Sequence, residues 1–280
     1  MISGHTHRAY VCEIDGRLVT SGDKFGTLVT TIDLKIDPVR RDVISARANN
    51  IIVRIGADGG DREQTALLAS YDKLAAPIAG RAAGRITETL SRMPNDAGES
   101  ALGDIIADAQ LLATSAETNG GAQVAFTNPG GIRTDIPGRQ DGAVTYADLF
   151  ASQPFRNQLV TLTLTGTQIK SLLEQQWLDP KRPRILQVSK GFRYAWDGSK
   201  PFGERVIAER MSLNGERVDP AMSYRVTVNN YLAAGGDGFT VLKEGTSQRF
   251  GLYDVDALYA FFQANSPIAP GPTDRIARLN

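Results

Sequence analysis

The only two histidines in the chain, His5 and His7, stand one residue apart in His5-Thr6-His7. On an extended segment, residues i and i+2 point to the same side, so both imidazoles can face one metal ion. Gly4 lets the backbone turn close to such a site. His-x-His is also common among surface histidines, and spacing alone leaves both readings open. A two-metal centre needs several further ligands, usually Asp, Asn and His from separate strand ends. No third histidine exists, and Asp23 in Ser21-Gly22-Asp23-Lys24 reads more simply as a turn residue. A complete catalytic metal site is therefore not expected in this chain.

Three further segments have the composition of a small-molecule site. In Asn128-Pro129-Gly130-Gly131-Ile132-Arg133, two glycines let backbone amides approach an anion, and Arg133 can fork onto a phosphate or carboxylate. A plain strand-ending turn with a solvated arginine has the same residues. The stretch Asn229-Asn230-Tyr231-Leu232-Ala233-Ala234-Gly235-Gly236-Asp237-Gly238-Phe239 combines glycines, a central carboxylate and aromatics. An aspartate can accept two hydrogen bonds from a vicinal diol such as ribose, and an aromatic face can stack on a base. A tight turn with core aromatics is the competing reading. In Gln153-Pro154-Phe155-Arg156-Asn157, the proline stiffens the approach to Phe155, which is either a second stacking face or ordinary core.

These segments must be positioned by the elements around them. Residues 1 to about 55 read as a β-rich meander, with strands at Ala9 to Glu13, Arg17 to Thr20, Thr27 to Leu34 and Val43 to Val53. A lone meander of this size leaves one apolar face uncovered. Ala57-Asp58-Gly59-Gly60 breaks the pattern. Leu67, Leu68, Tyr71 and Leu74 then fall at helical spacing from Asp61 onward, and Pro77 is expected to end or kink that helix.

Beyond Ala82, strands alternate with helices. Leu102, Ile105, Ile106, Ala109 and Leu112 form an apolar stripe behind a Ser100 N-cap. Gln123 to Thr127 is a strand feeding the Asn128 loop, and Thr145 with Asp148 caps a short helix. Asn157 to Leu164 is a strand, followed by a helix carrying Ile169, Leu172, Leu173 and Trp177 on one face. Gln187 to Trp196 and Val206 to Val218 are β-like, the second turning at Asn214-Gly215. Tyr224 to Val228 leads into the glycine-rich loop, and Val255 to Gln263 is a late helix. The pattern is that of an α+β domain with a mixed sheet.

Composition narrows the function classes. Across 280 residues, 31 lysines and arginines balance 31 aspartates and glutamates, so no net field draws a nucleic-acid polymer or an anionic membrane. Hydrophobic residues at 41% and charged residues at 22% suit a globular protein with a sizeable core. The apolar runs fall short of the roughly 20 residues a membrane span needs. The one cysteine, Cys12, excludes an intrachain disulfide. The first residues have neither a basic start nor an apolar core, so no signal peptide is expected in this chain.

Taken together, the segments resemble the 5'-nucleotidase family, which includes periplasmic UDP-sugar hydrolases and cyclic-nucleotide phosphodiesterases. The matching order is Ser3 to His7, then Ala101-Leu102-Gly103-Asp104-Ile105-Ile106-Ala107-Asp108-Ala109, Asn128 to Arg133, Gln153 to Phe155, and Tyr224 to Phe239. The resemblance implies a C-terminal, substrate-binding domain over 82–280, a linker helix over 57–81, and a β-rich remnant of a calcineurin-like metallophosphatase domain over 1–56. His5 and His7 then match the last metal-ligand motif of that domain. Asn128, Gly131 and Arg133 match its substrate loop, while Phe155 and Tyr231 match the aromatic pair that sandwiches the base. Asp237 matches the carboxylate that holds the ribose hydroxyls, with Asn157 and Gly236 beside these groups. Tyr in place of the usual Phe at 231 preserves stacking.

The chain departs from the family in two places. An arginine usually lies a few residues upstream of the Leu-Gly-x-x-Ile-Ala-Asp-Ala helix; Asp96 occupies the closest position here, and Arg92 is the nearest candidate. The early Asp-x-His, Gly-Asp and Gly-Asn-His motifs of the metal-binding domain are not present. The resemblance therefore implies a parent phosphohydrolase that uses two divalent ions (zinc, manganese or similar) and is periplasmic, cell-wall or extracellular. The N-terminal metallophosphatase domain is expected to be missing as a partner, no ion is expected to be held stably by this chain, and the ligand is a nucleotide or nucleoside. A non-catalytic nucleoside-binding module and a relative acting on sulfur compounds are the competing readings.

Overall fold

The computed structural model describes residues 1–54, 56 and 60–280. The break expected at Ala57-Asp58-Gly59, and with it the boundary expected between 56 and 57, lies outside the described residues. The chain divides into two compact units, Met1–Tyr71 and Asp72–Asn280.

The first unit contains two antiparallel hairpins. β1 (Ala9–Ile14) pairs with β2 (Arg17–Gly22), and Asp15 and Gly16 both take positive φ, 49° and 72°, as a two-residue hairpin turn demands. β3 (Leu28–Asp37) pairs with β4 (Asp42–Ile52), with a register shift between Lys35 and Ile36. Among its described residues only Val19, Thr20 and Ser21 are buried, while Val29, Leu34, Ile36, Ile44 and Ile52 are exposed. The uncovered apolar surface expected of a lone meander is therefore present.

Helix α1 (Arg62–Ala79) starts where Asp61 Oδ1 accepts from the Gln64 amide at 2.9 Å, and it buries no residue. The helix runs through Pro77 and ends two residues beyond it, at Ala79. The proline sits in the last turn, so only the Lys73 carbonyl loses its partner, and Gly80 N still reaches Ala76 O at 2.9 Å.

The second unit opens with β5 (Ala82–Arg85) and α2 (Ala101–Thr114). Ser100 caps α2 by accepting from Gly103 N at 3.2 Å, a cap that contributes roughly 1 kcal/mol. Next come β6 (Val124–Thr127), β7 (Ala143–Thr145) and α3 (Tyr146–Ser152), the last held by a Thr145–Asp148 capping box. β8 (Gln158–Thr165), α4 (Gly166–Glu174), β9 (Gln187–Val188) and β10 (Phe192–Trp196) follow. The expected continuous strand from Gln187 to Trp196 is split, because Gly191 at φ 88° turns the chain from one sheet into another. β11 (Ser212–Leu213) and β12 (Glu216–Arg217) flank the expected Asn214-Gly215 turn, with φ of 54° and 84°. β13 (Ser223–Asn229), α5 (Asn230–Ala233), β14 (Thr246–Tyr253), α6 (Asp254–Asn265) and β15 (Ile276–Arg278) complete the unit.

The main sheet has the order β14-β8-β13-β6-β9 and is mixed: β13 runs parallel to β6 and antiparallel to β8. A four-stranded sheet, β12-β11-β10-β15, pairs β10 with β15 in parallel. One apolar core joins Val124, Phe126, Leu162, Leu172, Trp177, Phe192 and Val226; a second joins Leu102, Ile106, Val144, Leu149, Leu258 and Phe262. The α2 stripe is buried through Ala109, but Leu112 is exposed. The fold is α+β with mixed sheets. Among the described residues no helix is long and apolar enough to cross a membrane.

Candidate functional site

The site grows from two parallel neighbours. Val226 pairs with Val124 and Thr227 with Ala125, so the C-terminal ends of β13 and β6 arrive side by side. Asn229 ends one strand and Asn128 follows the other, and both are buried. The Asn229 Nδ2 group donates to Asn128 Oδ1 at 3.1 Å, and Asn128 Nδ2 donates to Asp237 Oδ2 at 2.8 Å. Crevices at the carboxyl ends of parallel strands are where open α/β sheets take ligands.

Asn229 also caps α5, its Oδ1 accepting from Leu232 N at 2.9 Å. After α5 the chain doubles back through Gly235, Asp237 and Gly238, with φ of 82°, 56° and 91°. This left-handed run is open to glycine at little cost and is tolerated by aspartate. It aims the Asp237 carboxylate at Asn128. The Tyr231 hydroxyl donates to Asp237 Oδ1 at 3.1 Å and accepts from the Asp237 amide at 3.1 Å. Burial, with the Asp237 carboxylate alongside, holds the Tyr231 phenol above its ordinary value, so it stays a donor at neutral pH. Arg184 Nε lies 3.5 Å from Asp237 Oδ1. A Cβ on Gly236 would come within 2.5 Å of the Tyr231 ring, so the ring lies against bare backbone that only glycine leaves open.

The second arm carries Phe155. Arg133 N donates to Ser152 O at 2.8 Å, tying the Asn128 loop to the end of α3. Its guanidinium donates to Gly130 O at 3.2 Å and lies 5.6 Å from the centre of the Phe155 ring, a cation–π contact. Phe155 is 56% exposed and Tyr231 47%, which rules out ordinary core for either ring. A Cβ on Gly130 would lie 3.7 Å from Asp237 Oδ2, so the two arms meet across this loop. Tyr231, Asp237, Asn128, Gly130, Gly131, Arg133 and Phe155 thus form one contiguous row.

Other residues of the expected site lie elsewhere. Arg92 Nη1 donates to Ile132 O of the loop at 3.3 Å. Asn157 lies at the start of α6, where its carbonyl accepts from Asp254 N at 2.8 Å. Burial lifts the Asp254 pKa to about 6, although the Val255 amide donates to Asp254 Oδ1 at 2.8 Å and pulls the other way. His5 and His7 correct the geometry expected of them. Both take positive φ, 67° and 52°, around a bend at His5 and Thr6, so the alternation of an extended strand does not apply. The His7 ring has Phe25 at 6.2 Å between centres, and Asp23 accepts from Thr27 Oγ1 at 3.1 Å as a turn residue. Among the described residues no group of three or more His, Cys, Asp or Glu side chains is placed to hold a metal ion.

Sequence reasoning missed Asn229 as the residue that links Asn128 to α5, and Arg184 as a partner of Asp237. Asn229 had a local signal as an N-cap residue at a strand end. Arg184 had none, because tertiary structure alone brings it to Asp237.

Residues 78–244 match the family model of the 5'-nucleotidase C-terminal domain. The endonuclease YhcR of Bacillus subtilis is 27% identical over 233 residues, 83% of this chain and 18% of that protein. The cell wall protein Lmo0130 of Listeria monocytogenes is 34% identical over 155 residues, 53% of this chain and 19% of that protein. The crystal structure of a 5'-nucleotidase precursor from Thermus thermophilus superposes with a TM-score of 0.76 at 28% identity, covering all of this chain and 59% of that one. The chain thus spans under a fifth of the two curated relatives. With the family model matched over more than half its length, the chain belongs to the 5'-nucleotidase C-terminal domain family.

Proposed function

We propose that the chain is the nucleotide-binding portion of a metal-dependent phosphohydrolase of the 5'-nucleotidase type, which converts a nucleotide to a nucleoside and phosphate. The observation that carries this reading is the braced Asp237 carboxylate at the strand ends, with an exposed aromatic ring on either arm of the same row. Asn128, Tyr231 and Arg184 fix Asp237 before any ligand arrives, so little ordering is left to oppose binding. Its remaining lone pairs accept the ribose hydroxyls, Phe155 and Tyr231 take the two faces of the base, and Arg133 leaves Phe155 to meet the phosphate. Such contacts, remote from phosphorus, position the ester for attack.

Bound divalent ions would supply an activated water to that attack. His5 and His7 are too few for two ions, and the described residues add no ligand group to them. No hydrolytic step is therefore assigned to these residues, and the 280-residue chain is proposed to bind nucleotide without turning it over. An extracytoplasmic parent is proposed in line with the cell-wall relative.

Calorimetry with adenosine and AMP, run beside phosphate release in added manganese, tests the reading. Binding of both ligands without turnover is expected. Turnover by the purified chain would overturn the incomplete metal site, and failure to bind either ligand would overturn the nucleotide reading. Binding without turnover by a full-length parent would favour a non-catalytic binding module.

A further inference from the structure

Behind the Asn128 loop opens a cavity of about 340 Å³ whose walls include Pro94, Pro129, Pro183, Ile132 and Ile185. Its walls adjoin, along the chain, two residues that brace Asp237: Pro129 follows Asn128, and Arg184, between Pro183 and Ile185, reaches Asp237 at 3.5 Å. Gln187 and Ser100 also line it, yet their polar atoms are engaged with one another and with backbone. Gln187 Nε2 donates to the carbonyls of Gly98 and Ile185 at 2.8 and 3.0 Å, and its Oε1 accepts from Ser100 N and Oγ at 2.7 and 3.0 Å. Ser100 Oγ accepts in turn from Gly103 N at 3.2 Å. The amide has both donors and its acceptor oxygen in use, so it has little to offer a polar ligand. The one charged group in the lining is the Arg92 guanidinium, which spends one N–H on Ile132 O at 3.3 Å and has four more.

We propose that this cavity holds the second alcohol of a nucleotide phosphodiester, and that it selects an apolar aromatic alcohol over a sugar. The inference rests on the nucleotide reading above, with the nucleoside on Tyr231 and Asp237. A sugar would lose water from several hydroxyls and find few partners in exchange, which opposes its entry. An aromatic ring loses nothing of that kind and gains from burial of apolar area. Proline walls from three separate segments are stiff, so the cavity is formed before the ring arrives. Arg92 faces the single negative charge that a phosphodiester keeps.

Calorimetry on the full chain with AMP, its phenyl phosphodiester and its glucosyl phosphodiester is the test. The phenyl ester is expected to bind about tenfold or more tighter than AMP, the gain of burying one ring, and the glucosyl ester no tighter than AMP. Met93 lines the same cavity at 70% exposure, so Met93→Trp can fill the space without disturbing the core. In that variant the ratio of phenyl-ester to AMP affinity should fall to near one. If AMP binds but the phenyl ester is no tighter, or the two esters bind alike, the cavity inference falls and the nucleotide reading stands. A phenyl-ester advantage that survives Met93→Trp places the ring elsewhere and also overturns it. Absence of binding by AMP and both esters would bring down both readings.

Discussion

Two carboxylates in the Asp72–Asn280 unit sit in opposite surroundings. Asp237 is ringed by donors from Asn128, Tyr231 and Arg184. Asp104 is buried on α2 beside Glu99 and Asp108, and neither of its oxygens has a hydrogen-bond partner among the described residues. Its nearest cation, Arg275 Nε, stands 3.6 Å away, while the same guanidinium binds Asp108 through both terminal nitrogens at 2.7 and 2.9 Å. Burial pushes the Asp104 pKa up to about 9; Arg275 pulls against that shift, and the neighbouring Glu99 and Asp108 add to it. Donors that are already in place hold one carboxylate in position for a ligand. Crowded acids with one shared cation force the other to keep its proton.

The sharpest way to break the contrast is to remove the shared cation. Arg275→Ala strips Asp108 of the guanidinium that binds both its oxygens, and should cost on the order of 3 to 5 kcal/mol in a urea titration. Glu99 keeps its partners in that variant, since it accepts from the backbone amides of residues 275 and 276. A loss under about 1 kcal/mol, the level of a surface pair, would show that the cluster is solvated and that the contrast is false. Asp104→Asn should do the opposite and raise stability by roughly 1 to 3 kcal/mol near pH 8, since it removes the penalty of a buried acid. The sign follows from linkage. The native state holds the Asp104 proton up to about pH 9, whereas the unfolded chain releases it near the ordinary value of 3.8. Stability contributed by that proton is full below the unfolded value and is lost as pH rises through the native one. The advantage of Asp104→Asn should therefore grow between about pH 4 and pH 9, and a constant advantage across that range would contradict the protonated acid.

How much of this was legible in the sequence depended on how local the cause is. The Ser100 cap, the Thr145–Asp148 box and the Asn214-Gly215 turn each depend on a few neighbouring residues, and each stands where expected. Pro77 was expected to end or kink its helix, and the helix ends two residues beyond it, at Ala79, so the proline falls in the last turn, where its cost is least. β14 was missed because it is an edge strand with mostly exposed residues, Phe250 and Leu252 among them, so no buried face shapes its pattern. The Asn128 and Asp237 loops could be suspected from glycines and a carboxylate. Their convergence could not, since it follows from β13 lying next to β6 in parallel. Arg184 and the Asp104 cluster join residues up to 176 positions apart and leave no local trace.

Sharpening the Asp237 side of the contrast calls for ligands. Tyr231→Ala removes both a stacking face and the hydroxyl that braces Asp237, and should weaken adenosine binding by about 1 to 3 kcal/mol, the scale of base–aromatic stacking. Unchanged affinity by calorimetry would take Tyr231 out of the site.

The smallest effect is the most specific. Asp237→Asn keeps the shape of the side chain but replaces one acceptor oxygen with a donor. It also removes the charge that Arg184 Nε approaches at 3.5 Å. A ribose hydroxyl that donated to the carboxylate then meets an N–H group, whereas a deoxyribose has one fewer hydroxyl to lose. Adenosine should therefore lose about 1 kcal/mol more affinity than 2'-deoxyadenosine, the worth of one hydrogen bond. Because the comparison is made within one variant, any general loosening of the loop cancels between the two ligands. Equal losses for both would mean that Asp237 orders the loop through Asn128 and Tyr231 and does not touch the sugar.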